Sequence, residues 1–184
     1  MKIEIYNIFK KLLKSIFPKK ILYSLEPFIR SVYYLFYIGN KYQCSICNKK
    51  LRKFIEIKNS KFCPNCGSVA RDRRLYTILN KNFLNDRIKI VDFSPSRAIY
   101  RKIKTNQLLD YTSSDLSGNF IAEKKFDITG ISMPDNSYDL IVCYHILEHI
   151  ENDKKAMSEL YRVLRKNGNC IIQTPFKEGD IYED

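Results

Sequence analysis

Residues 126–176 read FDITGISMPDNSYDLIVCYHILEHIENDKKAMSELYRVLRKNGNCIIQTPF. Within this stretch YDLIVCY (138–144) is an almost unbroken apolar run, and NCIIQTPF (169–176) is a second. Short apolar runs of this kind form strands buried on both faces of a sheet. Between them, residues 151–165 place Ala156, Leu160, Val163 and Leu164 on one helical face. Gly168 follows the basic last turn as the expected helix stop. Strand, amphipathic helix and strand together predict a parallel crossover. Acidic residues and the histidines His145 and His149 stand near the strand ends. In open parallel sheets that is where ligands bind.

Upstream, the same alternation continues. IKIVDF (88–93) reads as a buried strand, RAIYRKI (97–103) as a helix, and YTSSDL (111–116) and KKFDIT (124–129) as short strands. YDLIVCY then becomes the fourth strand and NCIIQTPF the fifth, in an α/β domain over residues 89–184. Ahead of it lie three segments. Residues 1–41 are basic and amphipathic: Ile5, Ile8, Leu12 and Ile16 recur on one stripe with Lys10, Lys11 and Lys14 off it. Pro18 is expected to end that helix, and an aromatic-rich segment follows Pro27 and stops near Gly39. Residues 42–70 hold paired cysteines among strand-like runs, and residues 71–88 read as a connecting helix.

Cys44-x2-Cys47 and Cys63-x2-Cys66 are separated by 15 residues. Each pair forms a tight knuckle that points two thiolates at one ion. Four thiolates in a tetrahedron suit Zn²⁺ and leave no coordination position open for catalysis, so the spacing predicts a structural zinc ribbon. The remaining cysteines, Cys143 and Cys170, lie in apolar strands and read as buried thiols. That grouping fits a reducing compartment better than a disulfide framework.

The charge is divided unevenly. Residues 1–88 carry 19 Lys/Arg against 5 Asp/Glu, whereas residues 89–184 carry 13 against 15. The basic half therefore suggests contact with an anionic surface, either RNA or the headgroups of a membrane. The ribbon segment LRKFIEIKNSKF (51–62) is basic but reads as poor in exposed aromatics for base stacking. No window reaches the roughly 18 apolar residues a spanning helix needs. The expected location is cytoplasmic, or peripheral at the membrane through the amphipathic segment. The sequence sets no oligomeric state.

VDFSPS (91–96), SSDLS (113–117), FDITGISMPDNSYDLIV (126–142), HILEHI (145–150), ELYRVLRKNG (159–168) and IIQTP (171–175) resemble class I S-adenosylmethionine-dependent methyltransferases. The likeness is greatest to a branch in which an Asp is followed, after six intervening residues, by Pro-Asp-x-Ser-Tyr/Phe-Asp, as Asp127 and residues 134–139 are here. The resemblance covers residues 89–176 and implies a Rossmann-like parallel sheet with S-adenosyl-L-methionine as cofactor. It puts Asp92 beside the cofactor's methionine part and Asp115, with Leu116, at the ribose hydroxyls. Asp115 lies 23 residues after Asp92, near the spacing that role requires. It places Asp127, with Ile128, at the adenine amino group. The first loop departs from the family's acid-Gly-x-Gly, since Ser94, Pro95 and Ser96 stand there. Pro95 fixes φ and removes an amide donor. The resembled fold carries two further strands after IIQTP, so the resemblance implies a C-terminally incomplete domain.

A zinc ribbon ahead of such a domain resembles a bacterial arrangement linked to surface-polysaccharide pathways. It implies a glycan or other small-molecule acceptor. His145, at the end of the fourth strand, is the candidate general base for a hydroxyl acceptor. Two other readings stand beside this one: an RNA methyltransferase, and a non-catalytic ribbon-plus-Rossmann interaction module. HILEH (145–149) also matches the H-x-x-E-H of inverted zinc peptidases, which would need both histidines on one helical face.

Overall fold

The computed structural model describes residues 19–57 and 59–175. The chain divides into two compact units, Met1–Arg73 and Arg74–Asp184. The amphipathic helix expected over residues 5–17 lies outside the described residues. No helix among the described residues is long and apolar enough to cross a membrane.

Among the described residues the first unit begins with α1 (Lys19–Tyr34), which runs through Pro27. The sequence predicted a break there. Proline removes one amide donor, yet the next turn is braced. Glu26 pairs with Arg30 at 2.8 Å, and Ser31 Oγ donates to the Pro27 carbonyl at 2.9 Å. A 3₁₀ turn (Leu35–Tyr37) leads into β1 (Ile38–Gln43), inside the segment expected to be helical. β1 pairs antiparallel with β2 (Lys50–Leu51), and β3 (Ile55–Ile57) with β4 (Ser60–Phe62). These two hairpins are the ribbon. α2 (Ala70–Asn82) follows and continues into the second unit.

The second unit is a four-stranded sheet of β5 (Lys89–Phe93), β6 (Asp110–Ser114), β7 (Tyr138–Tyr144) and β8 (Leu164–Gln173). Its order is β6-β5-β7-β8 and every pair is parallel. The expected parallel α/β architecture is present. α3 (Arg97–Lys104) connects β5 to β6, and α4 (Asp153–Val163) connects β7 to β8. α4 buries Ala156, Leu160 and Val163 in a core with Val91, Phe126, Tyr138 and Ile141. Cys143 belongs to that core, and burial pushes its thiol up to about 12.

Two local expectations fail. KKFDIT forms no strand; only isolated bridges remain, Ser114 with Lys124 and Asp127 with Gly130. Its backbone is satisfied by side chains instead: Phe126 N donates to Ser114 Oγ and Thr129 N to Asp127 Oδ1, both at 2.8 Å. The sheet accordingly has four strands where five were expected. Gly168 is not a helix stop, because α4 ends at Val163 and β8 begins directly at Leu164. Gly168 lies within that strand at a close approach. A Cβ there would stand 2.8 Å from Leu164 Cδ1 and 3.0 Å from the Asp139 carbonyl oxygen.

Candidate functional site

Because the strands are parallel, their carboxyl ends lie along one edge of the sheet. The pairs Phe93–Ser114, Phe93–Cys143 and Tyr144–Gln173 put Ser94, Asp115, His145 and Thr174 just beyond that edge. Residues up to 80 positions apart in sequence are gathered there by register alone.

Asp115 is the most heavily engaged acid at this edge. Ser94 Oγ donates to its Oδ1 at 2.8 Å, Ser117 Oγ lies 3.0 Å from both carboxylate oxygens, and Phe120 N donates to Oδ2 at 3.1 Å. Burial opposes its charge, but the Phe120 amide and the two hydroxyls outweigh it and hold the carboxyl below the usual range. Leu116 and Phe120 beside it are 61% and 45% exposed. The sequence did not single out Ser117 or Phe120. A serine two residues beyond an acid is the available signal for such a turn.

Ser94 takes a left-handed backbone, φ 50°, where the family pattern has glycine. Its amide donates to the Ser114 carbonyl at 2.7 Å, so together with the Ser94–Asp115 bond the loop is tied to the end of β6. Those two bonds offset a conformation that costs a non-glycine residue about 1–2 kcal/mol. Ser96 is the N-cap of α3, accepting from Ile99 N at 3.4 Å. The loop thus reaches the required turn without glycine.

Asp92 lies beneath the edge rather than on it. It is 1% exposed, and Tyr111 Oη donates to Oδ2 at 2.9 Å. Burial pushes its carboxyl up to about 7, against the opposing Tyr111 hydrogen bond. A folded pKa above the unfolded one means that the folded state holds a proton which the unfolded state has lost. The contribution of Asp92 to stability therefore falls as pH rises from about 4 to about 7. A shift of roughly three pH units corresponds to at most ~4 kcal/mol. Asp92→Asn keeps an acceptor for Tyr111 and should flatten that slope. Urea unfolding at pH 5 and pH 8 checks this: the variant should lose less stability between the two than the parent.

Asp127 is exposed. Thr129 N and Oγ1 both donate to its Oδ1 at 2.8 Å, which holds its carboxyl below the usual range. Ile128 is buried in the core. Asp135 and Asp139, in the same motif, are fold clamps. Arg162 reaches Asp135 Oδ1 at 2.7 Å and the carbonyls of Met133 and Ile131, while Glu159 accepts from Ile131 N. Arg165 grips both oxygens of Asp139, which also accepts from Lys89 N at 2.8 Å.

His145 follows β7 with φ 60°, its amide donating to the Gln173 carbonyl at 2.7 Å. Its Nδ1 lies 3.1 Å from Glu148 Oε1, and its ring stands edge-on to Tyr144 at 5.2 Å. A carboxylate only accepts, so Nδ1 is the donor in this contact, and in the neutral ring Nε2 then presents a lone pair. His149 is exposed in a 3₁₀ turn (Leu147–His149). His145 precedes that turn, so the histidines do not share a helical face. Among the described residues the only potential metal cluster is the four cysteines. The zinc-peptidase reading falls.

In the first unit the Sγ atoms of Cys44, Cys47, Cys63 and Cys66 all lie within 4.8 Å of one another. Cys44–Cys66 and Cys47–Cys63 are each 3.7 Å apart. A tetrahedron with bonds of about 2.3 Å to zinc has edges of about 3.8 Å. Both knuckles turn on a left-handed residue, Asn48 at φ 56° and Gly67 at φ 76°. Their amides donate to the Cys44 and Cys63 carbonyls. Hydrogen bonds from Cys47, Cys63 and Cys66 pull the Cys44 thiol far down, and bonding to Cys44 and Cys47 pushes Cys63 and Cys66 up. Four sulfurs this close cannot all ionise on their own, and a cation at their centre would let them. Ser68, fully buried, places its hydroxyl 3.2 Å from Cys66 Sγ and 3.5 Å from Cys44 Sγ.

Comparison with known proteins bears on the second unit. A family model described as a methyltransferase domain matches residues 78–172. An uncharacterized protein of Methanocaldococcus jannaschii is 32% identical over 78 residues, 41% of this chain and 34% of that protein. A probable S-adenosylmethionine-dependent methyltransferase of Mycolicibacterium smegmatis is 33% identical over 49 residues, 27% of this chain and 19% of that one. The solved structure of a SAM-dependent methyltransferase from Aquifex aeolicus has a TM-score of 0.41 at 16% identity, covering 49% of this chain and 57% of that chain. The chain spans about a third or less of the curated relatives it matches.

Proposed function

Since the chain belongs to the methyltransferase-domain family, we propose that it transfers a methyl group from S-adenosylmethionine to an oxygen or nitrogen of a glycan or other small acceptor. The observation that carries this reading is Asp115, a carboxylate at the carboxyl edge of a parallel sheet that already gathers two hydroxyl donors. A ribose diol offers the same two donors, so cofactor binding exchanges the Ser94 and Ser117 hydroxyls for the diol. Leu116 and Phe120 supply exposed apolar surface for a purine ring. Both hydrogen bonds found on Asp127 fall on Oδ1, which leaves Oδ2 to face an amino group. The left-handed turn at Ser94 lets the backbone approach a ligand closely. These residues fit the cofactor, which supplies an electrophilic methyl on a sulfonium when bound.

The chain's remaining task is to align the acceptor and take its proton, and alignment supplies much of the rate. His145 Nε2 is the base for a hydroxyl acceptor, with Glu148 holding the ring in the required tautomer. His145→Ala should lower turnover about 10²-fold while leaving cofactor affinity unchanged. Undiminished turnover would remove the base from the mechanism. In the first unit, the four cysteines hold a structural zinc.

Calorimetric titration with S-adenosylmethionine and with its demethylated product tests the whole reading. Micromolar binding of both is expected, and no heat at millimolar ligand would overturn it. Transfer of radiolabelled methyl to saccharide fractions, compared with RNA, then identifies the acceptor class.

A further inference from the structure

The ribbon's aromatic residues come together in a way its linear sequence hides. Tyr37, from the 3₁₀ turn, Tyr42, from β1, and Phe54, just before β3, line one cavity of about 570 Å³, with Lys53, Lys61 and Arg73. The Tyr42 and Phe54 rings stand 5.7 Å apart at 49°. The Arg73 guanidinium lies 4.2 Å over the Phe54 ring, fixed there by bonds to the carbonyls of Ser68 at 2.7 Å and Lys61 at 3.1 Å. Lys41 and Arg52 sit over Tyr42 and Tyr37 at 5.7 and 5.8 Å.

From this arrangement we propose that the cleft binds single-stranded nucleic acid, stacking bases on Tyr37, Tyr42 and Phe54 and seating phosphates on Lys53 and Lys61. Four features favour this occupant. Each ring carries a cation over one face, which adds attraction and positive charge to a platform that any base can use. The charge is complementary, since residues 19–73 hold 12 Lys/Arg and 3 Asp/Glu. The acid in the lining, Glu56, is tied to Lys61 only by an open pair at 3.7 Å, with both side chains more than 60% exposed. A phosphate displaces such a pair at little cost. The volume also lies in the range of ligand clefts, roughly 300–1,000 Å³. A membrane would instead require a flat or convex apolar face. The proposal concerns the first unit by itself and does not depend on the methyl-transfer reading.

The test is fluorescence anisotropy of the full chain with a labelled twelve-nucleotide RNA, against the same sequence as a duplex and against mononucleotides. The single strand should bind best, with affinity falling steeply as salt rises. Tyr42→Ala should weaken it about 5- to 100-fold, the range for one stacked base. Lys53→Ala and Lys61→Ala should each lower the log–log salt slope by roughly 1. Zinc content and cofactor heats should be unchanged in these variants, which separates failure here from failure of the methyltransferase reading. No saturable binding at low salt would overturn the proposal. So would equal binding of duplex or mononucleotide, or indifference to Tyr42→Ala. Anionic vesicles bound as tightly as RNA, regardless of Tyr42, would assign the basic surface to a membrane and also overturn it.

Discussion

Replacing Cys63 by serine, or stripping the protein with a chelator, is expected to unfold the ribbon. The hairpins β1–β2 and β3–β4 bury few large side chains, chiefly Ile46 and Leu51. Two-stranded hairpins are marginal alone in water. The metal is therefore expected to supply the folding free energy, since structural zinc in small modules contributes about 10–16 kcal/mol at neutral pH. Metal analysis of reduced protein should give one zinc per chain, and Cys63→Ser should give none. Limited proteolysis should then cut within residues 38–69 of the variant and spare the parent. Ser68→Ala should leave the metal bound but easier to extract, because the thiolates lose a buried hydroxyl partner. Full retention of protease resistance in metal-free protein would show that the hairpins hold without zinc.

Asp115→Ala should weaken cofactor binding steeply. Two charge-assisted hydrogen bonds to a ribose diol contribute about 1.5–3 kcal/mol each, so the loss is roughly 10²- to 10⁴-fold in affinity. Removing the carboxylate also frees Ser94 and Ser117, which it holds at 2.8 and 3.0 Å, and loosens the loop beyond β5. Asp115→Asn keeps one acceptor and should fall between. Calorimetry with the demethylated product reads both variants without requiring turnover. Circular dichroism checks that the sheet persists, since Asp115 lies past the last paired residue, Ser114. Unchanged affinity in Asp115→Ala would place the cofactor elsewhere.

Asp115 and Asp92 differ in how legible they were. Asp115 was read from the family resemblance, supported by its place near the end of a strand pattern and its spacing from Asp92. Asp92 was read from the same strand, yet the structure puts it in the interior against Tyr111, a contact that depends on how β5 and β6 align. The third predicted strand, KKFDIT, failed for a related reason. Its apolar residues do face the core, as Phe126 and Ile128 show, but serine and aspartate side chains take the hydrogen bonds a ladder would use. Periodicity reports burial and does not report which partner satisfies the backbone.

The sequence by itself determined the parallel α/β sheet and the four-cysteine cluster. Both are written in local signals, namely apolar runs of strand length around one helical stripe and two CxxC pairs. Tertiary structure alone decided which acids are bound to the fold and which face outward. Asp135 and Asp139 belong to the motif that revealed the family likeness, but they are held by Arg162 and Arg165, more than 25 residues away. Tertiary structure likewise assembled Tyr37, Tyr42 and Phe54 into one cleft, where the linear sequence shows only scattered aromatics. The physical reason is the same in each case: these contacts are set by strand register and hairpin geometry, which only the folded chain brings into existence.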